Sequence, residues 1–125
     1  MKLALLIILL LGLFWNTALA QEQGFVYVDK QVQIVTDLSN SQDRFQSFAY
    51  IVQVKDSDGV TVSLAWITGS LSPNQHLSPA LSWTPEKAGV YVAEIFVWDS
   101  ITNPEPLSPP LHLEIEVREN IEYEG

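Results

Sequence analysis

From residue 25 to residue 118, apolar and polar positions alternate in short runs. Clusters of Pro, Gly, Asn, Asp and Ser separate the runs. A period of two is the signature of strands with one buried face. The pattern predicts seven strands, over 25–29, 31–38, 45–55, 60–68, 77–84, 90–99 and 111–118. In the second, Val32, Ile34, Thr36 and Leu38 share a face. In the third, Phe48, Tyr50, Val52 and Val54 do so. The fourth aligns Val60, Val62, Leu64 and Trp66, and the fifth Leu77, Leu81 and Trp83. The last sets Leu113, Ile115 and Val117 against Glu114, Glu116 and Arg118, the cleanest inside-outside alternation in the chain.

The breaks carry their own information. Asp56-Ser57-Asp58-Gly59 reads as a hairpin turn, because Asp and Gly tolerate positive φ. Pro79 lacks an N–H and marks an edge position or a bulge. Residues 85–89 form a tight corner, and a Pro-rich loop spans 100–110. Seven short strands in roughly 100 residues predict an all-β chain, a single immunoglobulin-like antiparallel sandwich. Two facing sheets bury all the apolar faces together.

Residues ahead of this region follow a different pattern. Lys2 precedes an apolar run over 3–15, broken only by Gly12, and Ala18-Leu19-Ala20 offers a small-x-small cleavage site. The run falls short of the ~20 residues that a spanning helix needs. It reads as a signal peptide over 1–20, followed by the sandwich over 21–118 and an acidic tail over 119–125. The expected location is extracytoplasmic, secreted or held at the cell surface. No stable membrane insertion is expected after cleavage.

Composition narrows the partners. The 125-residue chain has a net charge of −9, and loss of Lys2 leaves five basic residues against 15 acidic ones. So acidic a surface repels phosphate backbones, which argues against nucleic-acid binding. There is no cysteine, hence no disulfide, thiolate ligand or thiol nucleophile. A secreted domain without disulfides must rely on packing and fits a bacterial or archaeal envelope best.

Ser82-Trp83-Thr84-Pro85 followed by Ala88-Gly89-Val90-Tyr91-Val92-Ala93 resembles the W-x-P … G-x-Y pattern of prokaryotic immunoglobulin-like surface modules. It is similar to the CARDB-type, cell-adhesion-related domains and to immunoglobulin-like segments of exported archaeal proteins. The resemblance implies a β-sandwich with adhesive or structural work and no catalysis. It also implies that Tyr91 is a corner tyrosine whose hydroxyl pins the preceding loop. Ala93 stands where antibody-type domains carry a disulfide cysteine.

Candidate chemistry is sparse. Asp56-x-Asp58-Gly59 resembles the start of a calcium loop, but the twelfth position is Ile67 rather than Glu, so a plain turn is expected. Asp29, Asp37 and Asp99 fall near strand ends, where a cluster would hold a weak structural calcium. No other cofactor is expected. His76 and His112 lie 36 positions apart, without partners at ligand spacing. There is no Gly-x-Ser-x-Gly elbow and no phosphate loop, so no enzyme activity is expected.

The sixth strand stands out. With Tyr91, Ala93, Ile95 and Val97 inward, Val92, Glu94, Phe96 and Trp98 face out. Ile51 joins them on that face, and Glu114 and Glu116 lie at its border. Aromatics ringed by charge predict contact with an envelope or extracellular protein or glycan. The competing expectation is that a bulge, the Pro-rich loop, or Ile121 and Tyr123 of the tail cover the pair. Trp66 and Trp83 are assigned to the core.

The function expected is an exported, non-catalytic binding or structural module: an adhesion, assembly or accessory subunit of the cell surface. The alternative is an exported protease inhibitor or chaperone-like sandwich acting through the 100–110 loop or a free strand edge. Self-association is compatible with such an edge.

Overall fold

The computed structural model of the chain describes residues 3–11 and 25–119. Those residues form nine strands and no helix: β1 (Leu3–Leu11), β2 (Phe25–Tyr27), β3 (Val32–Asn40), β4 (Gln46–Lys55), β5 (Thr61–Leu71), β6 (His76–Leu77), β7 (Ala80–Trp83), β8 (Gly89–Trp98) and β9 (Leu111–Arg118). One sheet runs β1-β3-β6, with β7 also on β3. The other runs β2-β9-β8-β4-β5. The architecture is the expected immunoglobulin-like sandwich. From residue 25 onward the seven anticipated strands are all present, the fifth broken into β6 and β7.

The break lies at Ser78-Pro79, as proline chemistry requires. Pro79 cannot donate to a ladder, yet its C=O accepts from the Thr36 N–H at 3.1 Å. The strand therefore skips and resumes along the same edge of β3. Leu77, Leu81 and Trp83 stay opposite Leu38, Ile34 and Val32 across that skip.

Two features depart from expectation. Leu3–Leu11, read as part of the signal, pairs antiparallel with the whole of β3, from Leu3 opposite Asn40 to Leu11 opposite Val32. Second, β2 runs parallel to β9, while the other paired strands described are antiparallel. A tight turn over 28–31, with Asp29 at φ 66°, hands β2 to β3 on the opposite sheet. The cleavage site at Ala18-Leu19-Ala20 and the tail residues Ile121 and Tyr123 lie outside the described residues.

The core follows the alternation. Val32, Ile34 and Leu38 of β3 meet Phe48, Tyr50, Val52 and Val54 of β4. Tyr91, Ala93, Ile95 and Val97 of β8 join them, with Ile115 and Val117 of β9. Each large aliphatic or Phe side chain removed from water there contributes on the order of 1.5–3 kcal/mol. Two polar side chains at the core margin are well partnered. The Tyr50 hydroxyl donates to the Ile34 C=O at 2.7 Å. Buried Asn40 Nδ2 donates to the Arg44 C=O at 2.8 Å and to the Leu71 and Ser72 C=O groups at 3.1 Å.

Tyr91 is the corner tyrosine that the resemblance implies. Its hydroxyl donates to the Lys87 C=O at 2.8 Å, and its ring meets that of Trp83 edge-on at 5.0 Å. Burial, with Asp56 and Glu86 nearby, holds its phenol above the ordinary range.

Candidate functional site

The hairpin between β4 and β5 decides what the outer face of the five-stranded sheet carries. Asp56 N–H donates to the Val60 C=O at 2.9 Å, and Gly59 N–H donates to the Asp56 C=O at 3.0 Å. The Asp56 side chain accepts from the Asp58 and Val60 N–H groups, both at 2.9 Å. Gly59 alone takes positive φ, at 80°; Asp58 does not. This is a turn closed by a left-handed glycine.

Counting back from that turn without interruption would pair Val54 with Val62 and face Val62, Leu64 and Trp66 inward. The register shifts between Val54 and Lys55, so Val54 pairs with Ser63, Val52 with Ala65 and Tyr50 with Ile67. One extra residue moves every later side chain to the other face. Trp66 is therefore not a core residue. It is 53% exposed, beside Leu64 at 54%.

The rows across the outer face follow from the register. Trp66, Ile51 and Phe96 form one row, and Thr68, Ala49 and Trp98 the next. Pro106 sits opposite Trp98 on its far side. The Phe96 and Trp98 rings lie 5.7 Å apart at 46°, and both residues are half-buried. Ile51 is only 5% exposed. It is the floor beneath Trp66 and Phe96 rather than a contact residue, because larger side chains flank it on both neighbouring strands. Of the three residues anticipated at the face, Phe96 and Trp98 remain accessible.

A polar strip borders the aromatics. Glu94 takes Lys55 at 3.1 Å and His112 at 3.3 Å. Gln53 Nε2 donates to Thr61 Oγ1 at 2.7 Å. Glu114 lies opposite Val92, and Glu116 opposite Val90. Arg118 donates to Glu116 at 2.9 Å, which holds that carboxyl below its usual range. The Arg118 guanidinium also lies 3.9 Å over the Phe25 ring, which meets Tyr27 edge-on at 5.6 Å. The face thus has a broad aromatic patch over β5, β4 and β8, a charged strip, and a smaller aromatic pair at the β2 margin.

Other anticipated positions stay apart. Asp37 accepts from Ser78 Oγ. Asp99 accepts from Ser47, Gln46 and Asn103, and Asp29 occupies the β2–β3 turn. No group of three His, Cys, Asp or Glu side chains is placed to hold a metal among the described residues. His76 lies on β6 and His112 on β9. A groove of about 470 Å³ beside Tyr91 is lined by Asp56, Ser63, Ser82, Trp83, Glu86 and Lys87, among others. Its phenol and the Asp56 carboxylate are already committed to the corner and the turn.

The 100–110 loop is tied to the sheet. Asp99 N–H donates to the Glu105 C=O and Leu107 N–H to the Val97 C=O, both at 2.8 Å. Leu107 is buried in the core. The loop flanks Trp98 through Pro106, while Trp66 stays 53% exposed.

No family model and no curated protein matches the chain. Solved structures do. The CARDB domain of a Pyrococcus furiosus protein, crystallised in complex with di-metal ions, is similar over 94% of this chain and 88% of that one. Its identity is 18% and its TM-score 0.62. A β-glucosidase from Listeria innocua is similar over 95% of this chain but only 16% of its own, at 14% identity and TM-score 0.63. An alkylpurine DNA glycosylase from Pseudomonas fluorescens, bound to DNA containing an abasic site analog, is similar over 91% of this chain and 30% of its own. There the identity is 10% and the TM-score 0.57. The chain has a CARDB-like immunoglobulin fold. That scaffold serves unrelated proteins, so it specifies architecture and leaves function to the surface.

Proposed function

We propose that this chain is a non-catalytic contact module that works outside the cytoplasm, as an adhesion, assembly or accessory subunit of a cell surface. The observation that carries the reading is Trp66, half exposed and in one patch with the half-buried Phe96 and Trp98 on the outer sheet face. Partly exposed aromatics in one contiguous patch, rimmed by Lys55, Glu94 and His112, have the anatomy of an interface centre. The apolar segment and small-x-small site before Gln21 support export. The only two histidines lie away from the groove, and its Tyr91 hydroxyl is engaged, which supports a role without catalysis.

The test is a comparison of two columns. One carries the exported protein, the other its Trp66→Ala/Phe96→Ala/Trp98→Ala variant, and both receive detergent-solubilised envelope of the source cell. The proposal expects one envelope protein or glycan to be retained by the first and lost from the second. Equal retention by both would move the contact to an edge or to the 100–110 loop.

A further inference from the structure

Strand β3 has two edges, and they meet different fates. Thr36 and Asn40 donate their N–H groups to the Pro79 and Gln75 C=O groups at 3.1 and 3.0 Å. Successive backbone groups along a strand point to opposite edges. Gln33, Val35, Asp37 and Ser39 therefore direct theirs to the other edge, which Leu3–Leu11 covers over all nine positions. Export with cleavage before Gln21 removes that cover. Residues 21–24 number four and cannot replace nine, since a strand advances about 3.3 Å per residue.

We propose that this edge is a self-association surface: in the exported protein, β3 of one copy pairs antiparallel with β3 of a second copy about a twofold axis. The proposal rests on the export reading. The strand is complementary to itself. With Thr36 at the axis, Ile34 of each copy lies opposite Leu38 of the other, Val32 opposite Asn40, Gln33 opposite Ser39, and Val35 opposite Asp37. Asp37 is the strand's single charge, and this register sets it against Val35 rather than against itself, so no like-charge contact forms. Its carboxylate already takes Ser78 Oγ within its own copy, which leaves the edge unblocked. The groups that Leu3–Leu11 satisfies are then satisfied by an isologous partner, and the open edge closes.

The experiment uses the exported protein purified from its cells. Intact mass fixes the first residue, and sedimentation equilibrium fixes the assembly. The expected result is a chain starting near Gln21 and a dimer. Val35→Asp sets a carboxylate opposite Asp37 twice per dimer and should raise the dissociation constant roughly three- to thirtyfold, whereas Val35→Lys should lower it. Val35→Pro removes one edge N–H without touching the bonds to Pro79 and Gln75, and should give a monomer with unchanged circular dichroism. Trp66→Ala/Trp98→Ala should stay dimeric, which separates the edge from the aromatic face. A chain that starts near Gln21 and stays monomeric would overturn the proposal. So would a dimer that responds identically to Asp and Lys at position 35. A chain starting at Met1 would overturn it differently, by failure of the export reading, with the edge still filled by Leu3–Leu11.

Discussion

Val54 of β4 pairs with Ser63 of β5, and not with Val62. This single offset moves Trp66 from the core to the surface and builds the aromatic face. Small inward residues, Ser63 and Ala65, suit the position. β5 is the outermost strand of its sheet, and the margin of β7 lies across from it.

Tryptophan fluorescence reads this register. A Trp15→Phe/Trp83→Phe/Trp98→Phe variant leaves Trp66 as its one tryptophan. Its emission should be red-shifted and readily quenched by acrylamide. Trp15→Phe/Trp66→Phe/Trp98→Phe leaves Trp83, which is 8% exposed, and should be blue-shifted and shielded. Equal shielding of both would place Trp66 in the core.

The tyrosine corner is expected to matter for stability. Tyr91→Phe loses one hydrogen bond, to the Lys87 C=O, while keeping the ring stacked against Trp83. The expected loss is about 1 kcal/mol, or a fall of roughly 4–8 °C in Tm for a domain of this size. Thermal denaturation checks it.

Asn40 is expected to matter more. Its side chain serves three C=O groups and accepts from the Gln42 N–H at 3.0 Å. Asn40→Ala strands buried backbone groups and should destabilise by about 1–3 kcal/mol, seen as a lower urea midpoint.

Stability should fall in strong alkali through Tyr50. Burial pushes its phenol from 10.0 up to about 12. The folded chain holds this proton more tightly than the unfolded chain does. That contribution is whole below pH 10 and is lost as pH rises through about 12. Urea denaturation should show a decline of roughly 1 kcal/mol per pH unit across that window. Tyr50→Phe should remove this part of the slope.

Gly69 and Gly59 should answer differently to alanine. A Cβ at Gly69 would meet the Phe48 ring at 3.0 Å, so Gly69→Ala forces a core aromatic to move; about 1–3 kcal/mol is expected. At Gly59 the space is open, and only the φ of 80° resists a side chain. That substitution should cost about 1 kcal/mol. Denaturant midpoints of the two variants compare them directly.

Alternation alone located every strand from residue 25 onward, because each has one face against the opposite sheet. It placed the inward sets of β3, β4, β8 and β9, and it placed Phe96 and Trp98 on the outer face. It failed at β5, where the apolar set Val62, Leu64 and Trp66 faces solvent. Period-two reading assigns the apolar set to the core, and a bulge leaves no mark in composition. The parity of β5 was recoverable only from pairing with β4. Asn40 was equally hidden, since its partners at Leu71 and Ser72 lie 31 and 32 residues away. Asp29, Asp37 and Asp99 share strand-end positions in sequence, yet the folded chain engages each with different partners.

The account stands most directly on whether the aromatic face is covered where the protein works. Hydroxyl-radical footprinting of intact cells and of the purified protein measures this residue by residue. The account predicts that Trp66, Phe96 and Trp98 are labelled in the purified protein and protected on the cell, with Trp83 protected in both. Equal labelling of Trp66, Phe96 and Trp98 in the two settings would contradict it.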